Sequence, residues 1–205
     1  MTSLAGATQD EVRRSNLSLI LTLLHRKGAL SRSQIVATTG LNRSTVGDLV
    51  SELVELGLVR ESAGVGGGVG RPSLRVELVA DAATVLALDV RVERTVAAVV
   101  GLDGTVFVRR EQRHTDSAEE VLLSEVLDLS RRVVTEGPGL SSWVGTGIGV
   151  PGVVRTDDGL VRFAPNLGWV DVPFGAHVAT GLSEAFGGGR AVEVRDDADL
   201  GVLVE

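Results

Sequence analysis

Leu30-Ser31-Arg32-Ser33-Gln34-Ile35-Val36-Ala37-Thr38-Thr39-Gly40-Leu41-Asn42-Arg43-Ser44-Thr45-Val46 holds two helix starts and one sharp turn. Ser31 stands three residues before Gln34, the spacing of a capping box, so a helix begins there. Ile35 and Val36 supply its buried face, and Gly40 stops it. Thr39-Gly40-Leu41 is the turn. Asn42 caps the next helix, in which Val46, Leu49, Val50, Leu53 and Leu56 form one apolar stripe, closed by Gly57. Upstream, Leu17, Ile20, Leu21 and Leu24 recur at helical spacing over residues 12–27, and His25, Arg26 and Lys27 occupy the last turn before Gly28. Downstream come Leu58-Val59-Arg60-Glu61, a glycine-rich run at 64–70, Arg71-Pro72-Ser73 and the alternating Leu74-Arg75-Val76-Glu77-Leu78. Those are two strands joined by a flexible tip, and a β-hairpin directly after a third helix is the wing of a winged helix-turn-helix.

In that arrangement the helix opened by Asn42 enters the major groove of DNA while the preceding helix braces on the backbone. Asn42, Arg43, Ser44 and Thr45 can all donate hydrogen bonds to phosphates or base edges, and Arg43 can pair in bidentate fashion with guanine. Ser31 and Arg32, at the start of the preceding helix, are further candidates for DNA contact, as is Arg71 in the wing, toward a phosphate or the minor groove. The alternatives are a small helical interaction module in which Asn42 and Ser31 serve only as caps, and a merely solvated Arg71. Asp48 is the odd member: either it faces away from the phosphates or it helps exclude other bases. The wing glycines are not a phosphate loop, since no Gly-x-x-x-x-Gly-Lys follows and the next residues are strand-like.

The charge is uneven. Residues 1–79 hold nine Arg and Lys against seven Asp and Glu, whereas residues 80–205 hold eleven against twenty, so the net charge of −7 comes from the second segment. DNA binding asks only for a local basic surface on the docking module. The chain has no cysteine, and His25, His114 and His177 are too scattered for a zinc site, so neither metal nor cofactor is expected. With 43% hydrophobic residues, no uncharged apolar run long enough to span a bilayer and no export signal, a soluble cytoplasmic protein without membrane association is expected.

Residues 1–79 form the first expected domain and residues 80–205 the second, with Asp81-Ala82-Ala83 as linker. The second reads as strands at 85–90, 95–102 and 106–111, with Asp103-Gly104 as a hairpin turn, then a helix capped by Ser117 and Glu120 and lined inward by Leu122, Val126, Leu129 and Val133. Strands near 145–150 and 160–163, a short helix at 174–182, a strand at 191–194 and the opening of another helix from Asp196 complete a mixed α/β order. Gly147-Ile148-Gly149-Val150-Pro151-Gly152 matches Gly-x-Gly-x-x-Gly, but Pro151 and strand-like Val153-Val154 deny it the helix that a dinucleotide needs. It is a strand ending in a glycine turn, either to let backbone approach a ligand or as a purely structural turn.

From about Arg14 to Glu205 the sequence resembles the ROK family of bacterial repressors and sugar kinases. The resemblance rests on Leu30-Ser31-Arg32, Thr39 to Val46, Leu53-Val54-Glu55-Leu56-Gly57-Leu58-Val59, Gly70-Arg71-Pro72-Ser73, Gly147 to Gly152, Ala164-Pro165-Asn166-Leu167-Gly168-Trp169 and Asp196-Asp197-Ala198-Asp199. It implies an α/β chain in which the winged helix-turn-helix is followed by an actin/hexokinase-like (ribonuclease H-like) N-terminal lobe. It further implies a repressor that senses a sugar or sugar derivative, with Gly152, Asn166, Asp196 and Asp197 as sugar-binding candidates; because one recognition helix reads too few bases for specificity, a homodimer on a double-stranded operator is expected.

Three departures bear on activity. Family kinases carry Asp-x-Gly-Gly-Thr where this chain has Asp89-Val90-Arg91-Val92-Glu93, which lacks the glycines and adds a carboxylate that repels phosphate, so no kinase activity is expected. The family's Asn-Asp-Ala-Asn is here Asp196-Asp197-Ala198-Asp199; Asp197 aligns with the catalytic base and is expected to be inactive. The family's zinc-binding cysteines and histidine, second phosphate region and C-terminal lobe lie beyond residue 205. A sugar kinase and a truncated DNA-binding fragment without ligand control are the alternatives to a regulator.

Overall fold

The computed structural model describes residues 8–63, 74–116 and 118–196. The chain divides into two compact units, Met1–Ala82 with Leu102–Gly104, and Ala83–Gly101 with Thr105–Glu205.

The first unit opens with α1 (Gln9–Lys27), which starts earlier than its apolar periodicity predicts because Thr8 and Glu11 form a capping box. The Thr8 amide donates to Glu11 at 2.6 Å, and this bond holds the Glu11 carboxyl below its ordinary range. A two-residue strand, β1 (Leu30–Ser31), leads into α2 (Arg32–Thr39) and then α3 (Arg43–Glu55). Both expected caps form: Ser31 accepts from the Gln34 amide and Asn42 from the Thr45 amide. Gly40 takes the left-handed conformation (φ 73°) and its N–H closes on the Val36 carbonyl, which is why the turn between α2 and α3 needs a residue without a Cβ. Strands β2 (Val59–Ala63) and β3 (Leu74–Leu78) pair antiparallel, and β1 adds to the other edge of β3, giving the order β1-β3-β2. The wing tip at 64–73 lies outside the described residues. One apolar core joins Ile20, Leu23, Leu24, Ile35, Val46, Leu49, Val50, Leu53, Val59, Val76 and Leu78. Leu56, expected in the α3 stripe, is 60% exposed because the helix has already ended at Glu55 and the chain is turning.

The second unit is built on a five-stranded sheet in the order β11-β7-β4-β5-β6, with β4 (Thr84–Val90), β7 (Trp143–Val150) and β11 (Ala191–Asp196) parallel. Strands β5 (Arg94–Gly101) and β6 (Val106–Arg113) continue it antiparallel. Helices α4 (Glu119–Glu136) and α5 (Phe174–Phe186) share one core with Leu86, Leu88, Val90, Ala97, Val99, Ile148, Val150 and Val194. A second small sheet, β10-β9-β8, joins Trp169–Val172, Leu160–Ala164 and Val153–Arg155.

Three expectations need correction. The N-cap of α4 is Ala118, without a side-chain cap bond, while the expected cap Ser117 lies outside the described residues. α5 runs on to Phe186 rather than stopping at 182: Gly181 lets Leu127 of α4 pack against its backbone, and Phe186 meets the Trp143 ring edge-on at 5.4 Å. Asp196 is the last residue of β11, paired with Val150, not the opening of a helix.

Candidate nucleic-acid interface and ligand site

The buried stripe of α3 (Val46, Leu49, Val50, Leu53) fixes which side of the helix faces out. At its first turn Asn42, Arg43 and Ser44 are exposed and Thr45 is half-buried. The Asn42 side-chain oxygen accepts from both the Thr45 amide (2.8 Å) and the Ser44 hydroxyl (2.7 Å), so its cap function uses the oxygen and leaves the amide NH2 directed elsewhere. Arg43 has no hydrogen bond or ion pair to another described residue. Arg13, Arg32, Arg60 and Arg75, by contrast, are engaged: with Glu52 at 2.5 Å, Glu61 at 2.8 Å, Glu77 at 2.7 Å and the Ala29 carbonyl, respectively. Arg43 is therefore the cation of α3 that is available to an external anion or base edge.

Ser31 and Arg32 lie elsewhere in this scheme. Ser31 is 9% exposed and its hydroxyl is occupied by Ser33, Gln34 and the capping box. Arg32 forks onto Glu61 (Nε–Oε1 2.8 Å, Nη2–Oε2 3.2 Å) and reaches the Gly47 carbonyl at 3.5 Å, spanning α2, α3 and β2. Its partner 29 positions on could not be picked out from spacing, because the pairing depends on the fold. Arg71 lies outside the described residues.

In the second unit, Gly152 follows β7, Asn166 is exposed in the turn between β9 and β10, and Asp196 ends β11. Register places them at neighbouring strand ends, since Asp196 pairs with Val150 and Gly152 packs on Ala164. The close approach that Gly152 permits is made by the chain itself: at φ 156°, a Cβ there would sit 2.5 Å from the Phe163 carbonyl oxygen. An open hollow of about 1060 Å³ lies at the carboxyl ends of β4, β7 and β11, lined among others by Asp89, Arg91, Gly147, Gly149, Glu193 and Arg195. Gly152, Asn166 and Asp196 do not line it. For Asp196 the reason is strand alternation, which puts it on the side of buried Val194 while Glu193 and Arg195 point to the other face. Asp197 lies outside the described residues. The charges of the hollow are already paired, Arg91 with Asp89 at 2.7 Å and Arg195 with Glu193.

The ROK family profile matches residues 85–205, more than half of the sequence. The chain belongs to the ROK family. An IclR helix-turn-helix domain matches residues 17–63, which contain α2 and α3. A putative xylose repressor of Caldicellulosiruptor sp. (strain Rt8B.4) is 28% identical over 196 residues, covering 95% of this chain and 48% of that protein. The xylose repressor of Bacillus subtilis is 30% identical over 170 residues, covering 81% of this ROK chain and 43% of the relative. This chain thus spans less than half the length of these curated relatives. Among solved structures, a ROK family transcriptional regulator described as a homologue of the E. coli MLC protein superposes with TM-score 0.64 at 18% identity, over 91% of this chain and 46% of that one. A ROK hexokinase from Thermus thermophilus superposes with TM-score 0.50 at 22% identity, over 60% of this chain and 38% of that one. These structures show the fold: a helix-turn-helix with a small sheet, then the N-terminal lobe of the hexokinase-like α/β architecture. Among the described residues no helix is long and apolar enough to cross a membrane.

Proposed function

We propose that this chain is the DNA-reading part of a sugar-responsive ROK transcriptional repressor, with residues 1–79 as the winged helix-turn-helix domain and residues 80–205 as part of a sugar-kinase-like domain. The observation that carries it is Arg43: an exposed cation without a partner among the described residues, at the first residue of a helix whose apolar stripe is locked into the core. Asn42, Ser44, Thr45 and Arg71 join it at the DNA, while Ser31 and Arg32 act by setting the pose of α2 and α3. One recognition helix reads few base pairs, so the operator is bound by a homodimer.

The relatives named as xylose repressors favour xylose or a related sugar as effector, with Gly152, Asn166, Asp196 and Asp197 near its site. Phosphoryl transfer is not part of this function. The end of β4 and the turn to β5, Asp89 to Glu93, carry two carboxylates and no glycine, and the cation of that turn, Arg91, pairs with Asp89. The test is fluorescence anisotropy with duplexes from the region upstream of the protein's own gene, with and without xylose. Tighter binding to one of these than to scrambled duplexes supports a regulator, and weakening by xylose supports the effector. Equal binding to all sequences contradicts the first, and indifference to xylose contradicts the second.

A further inference from the structure

We propose that Asp48 selects a cytosine in the DNA that this protein reads; the inference rests on the DNA-binding function above and names the base chemistry of that same helix. The outward side of α3, opposite Val46, Leu49, Val50 and Leu53, exposes Ser44, Asp48, Ser51 and Glu55. Two of these have already spent their only donor. The Ser44 hydroxyl donates to Asn42 Oδ1 at 2.7 Å and the Ser51 hydroxyl donates to the Gly47 carbonyl at 2.9 Å. The outward side thus offers Asp48 as a charged acceptor, while Arg43 supplies a donor group from the helix's first residue. Glu55 is the last residue of α3, ~18 Å from Arg43 along the axis.

Among the described residues no ion pair holds Asp48. Gln9, Asp10, Arg13 and Asn16 of α1 line a concavity beside it, yet the Arg13 guanidinium goes to Glu52. Asp48 itself has no hydrogen bond or ion pair to another described residue. It is also past the first helical turn, where the helix dipole would favour a carboxylate. A free carboxylate carried among phosphates is unfavourable unless a base donor meets it. In the major groove only cytosine N4 and adenine N6 donate, and adenine sets the N7 acceptor beside its amino group, which repels a carboxylate. Cytosine is therefore the base that fits. Asp48 lies five residues past Arg43, ~7.5 Å along the axis and ~140° around it, so the two side chains address different base pairs.

The experiment is selection of randomised duplexes by the full chain and by Asp48→Asn and Asp48→Ala, followed by anisotropy on the selected sites. Carboxamides pair with adenine N6 and N7, so Asp48→Asn is expected to turn one selected cytosine into adenine, a shift of tenfold or more between the two sites. Asp48→Ala leaves that position degenerate and binds unrelated DNA more tightly through lost repulsion. If both variants select the same site as the unaltered chain, with circular dichroism showing all three folded, Asp48 reads no base and the proposal is overturned. If the unaltered chain selects nothing, the DNA-binding function itself is overturned, and this proposal with it.

Discussion

The guanidinium of Arg32 forks onto the Glu61 carboxylate, Nε to Oε1 at 2.8 Å and Nη2 to Oε2 at 3.2 Å, and so ties the first turn of α2 to β2 of the wing. The pair is partly exposed, 40% and 23% for the two side chains. Its contribution to stability is therefore small, about 0.5–1 kcal/mol. Glu61→Gln is expected to lower stability by no more than that in denaturant titration while weakening DNA binding, because the wing and the recognition helix lose their brace. An unchanged affinity would show that the pair does not position the interface.

Asn42 can be separated as a cap from Asn42 as a DNA contact. Asn42→Ala removes the acceptor for the Thr45 amide and is expected to cost about 1 kcal/mol in thermal unfolding. Asn42→Asp keeps the cap and the stability but places a carboxylate at the N-cap of α3, so it is expected to bind DNA at least tenfold less tightly. Equal DNA affinity for Asn42→Asp and the unaltered chain would place that turn away from the phosphates.

Gly152→Ala is expected to destabilise the second unit by more than about 2 kcal/mol, since the added methyl meets the Phe163 carbonyl at 2.5 Å on a backbone (φ 156°) that side chains rarely adopt. A melting temperature equal to that of the unaltered chain would exclude this packing of the β7–β8 turn against β9.

Glu125 supplies a pH dependence. Burial alone would raise its pKa, but bonds from the Thr115 hydroxyl (2.7 Å), His114 (3.1 Å) and the Thr115 amide (3.2 Å) together hold it below the ordinary 4.5. A carboxyl depressed in the folded state stabilises fully above its unfolded value and loses that contribution as pH falls through the folded value. Glu125→Gln is expected to melt below the unaltered chain at pH 7, with the gap closing as pH drops below 4.5. A gap independent of pH would assign the loss to packing instead.

Local signals in the sequence were enough for the helix-turn-helix. Ser31 with Gln34, Gly40 and Asn42 each act within one helical turn, and all three formed as their spacing requires. The cap of α1, Thr8 with Glu11, is equally local but lies upstream of the apolar periodicity, which begins only at Val12. Strands β1 and β10, of two and four residues, exist through their pairing with β3 and β9 and carry no alternation long enough to read. The same limit applies to the site. Exposure of Arg43 follows from its place as the first residue after the Asn42 cap, whereas the commitment of Arg32 to Glu61 depends on a contact across 29 residues that only the fold creates.

The most direct test of the account is the salt dependence of anisotropy for the full chain and Arg43→Ala, on a duplex that the unaltered chain prefers and on an unrelated one. The account predicts that Arg43→Ala loses most of the preference, by about 1–3 kcal/mol, while the weak binding to unrelated DNA and its salt slope change little. If Arg43→Ala discriminates between the two duplexes as well as the unaltered chain does, α3 does not read DNA through its first turn, and the central claim is wrong.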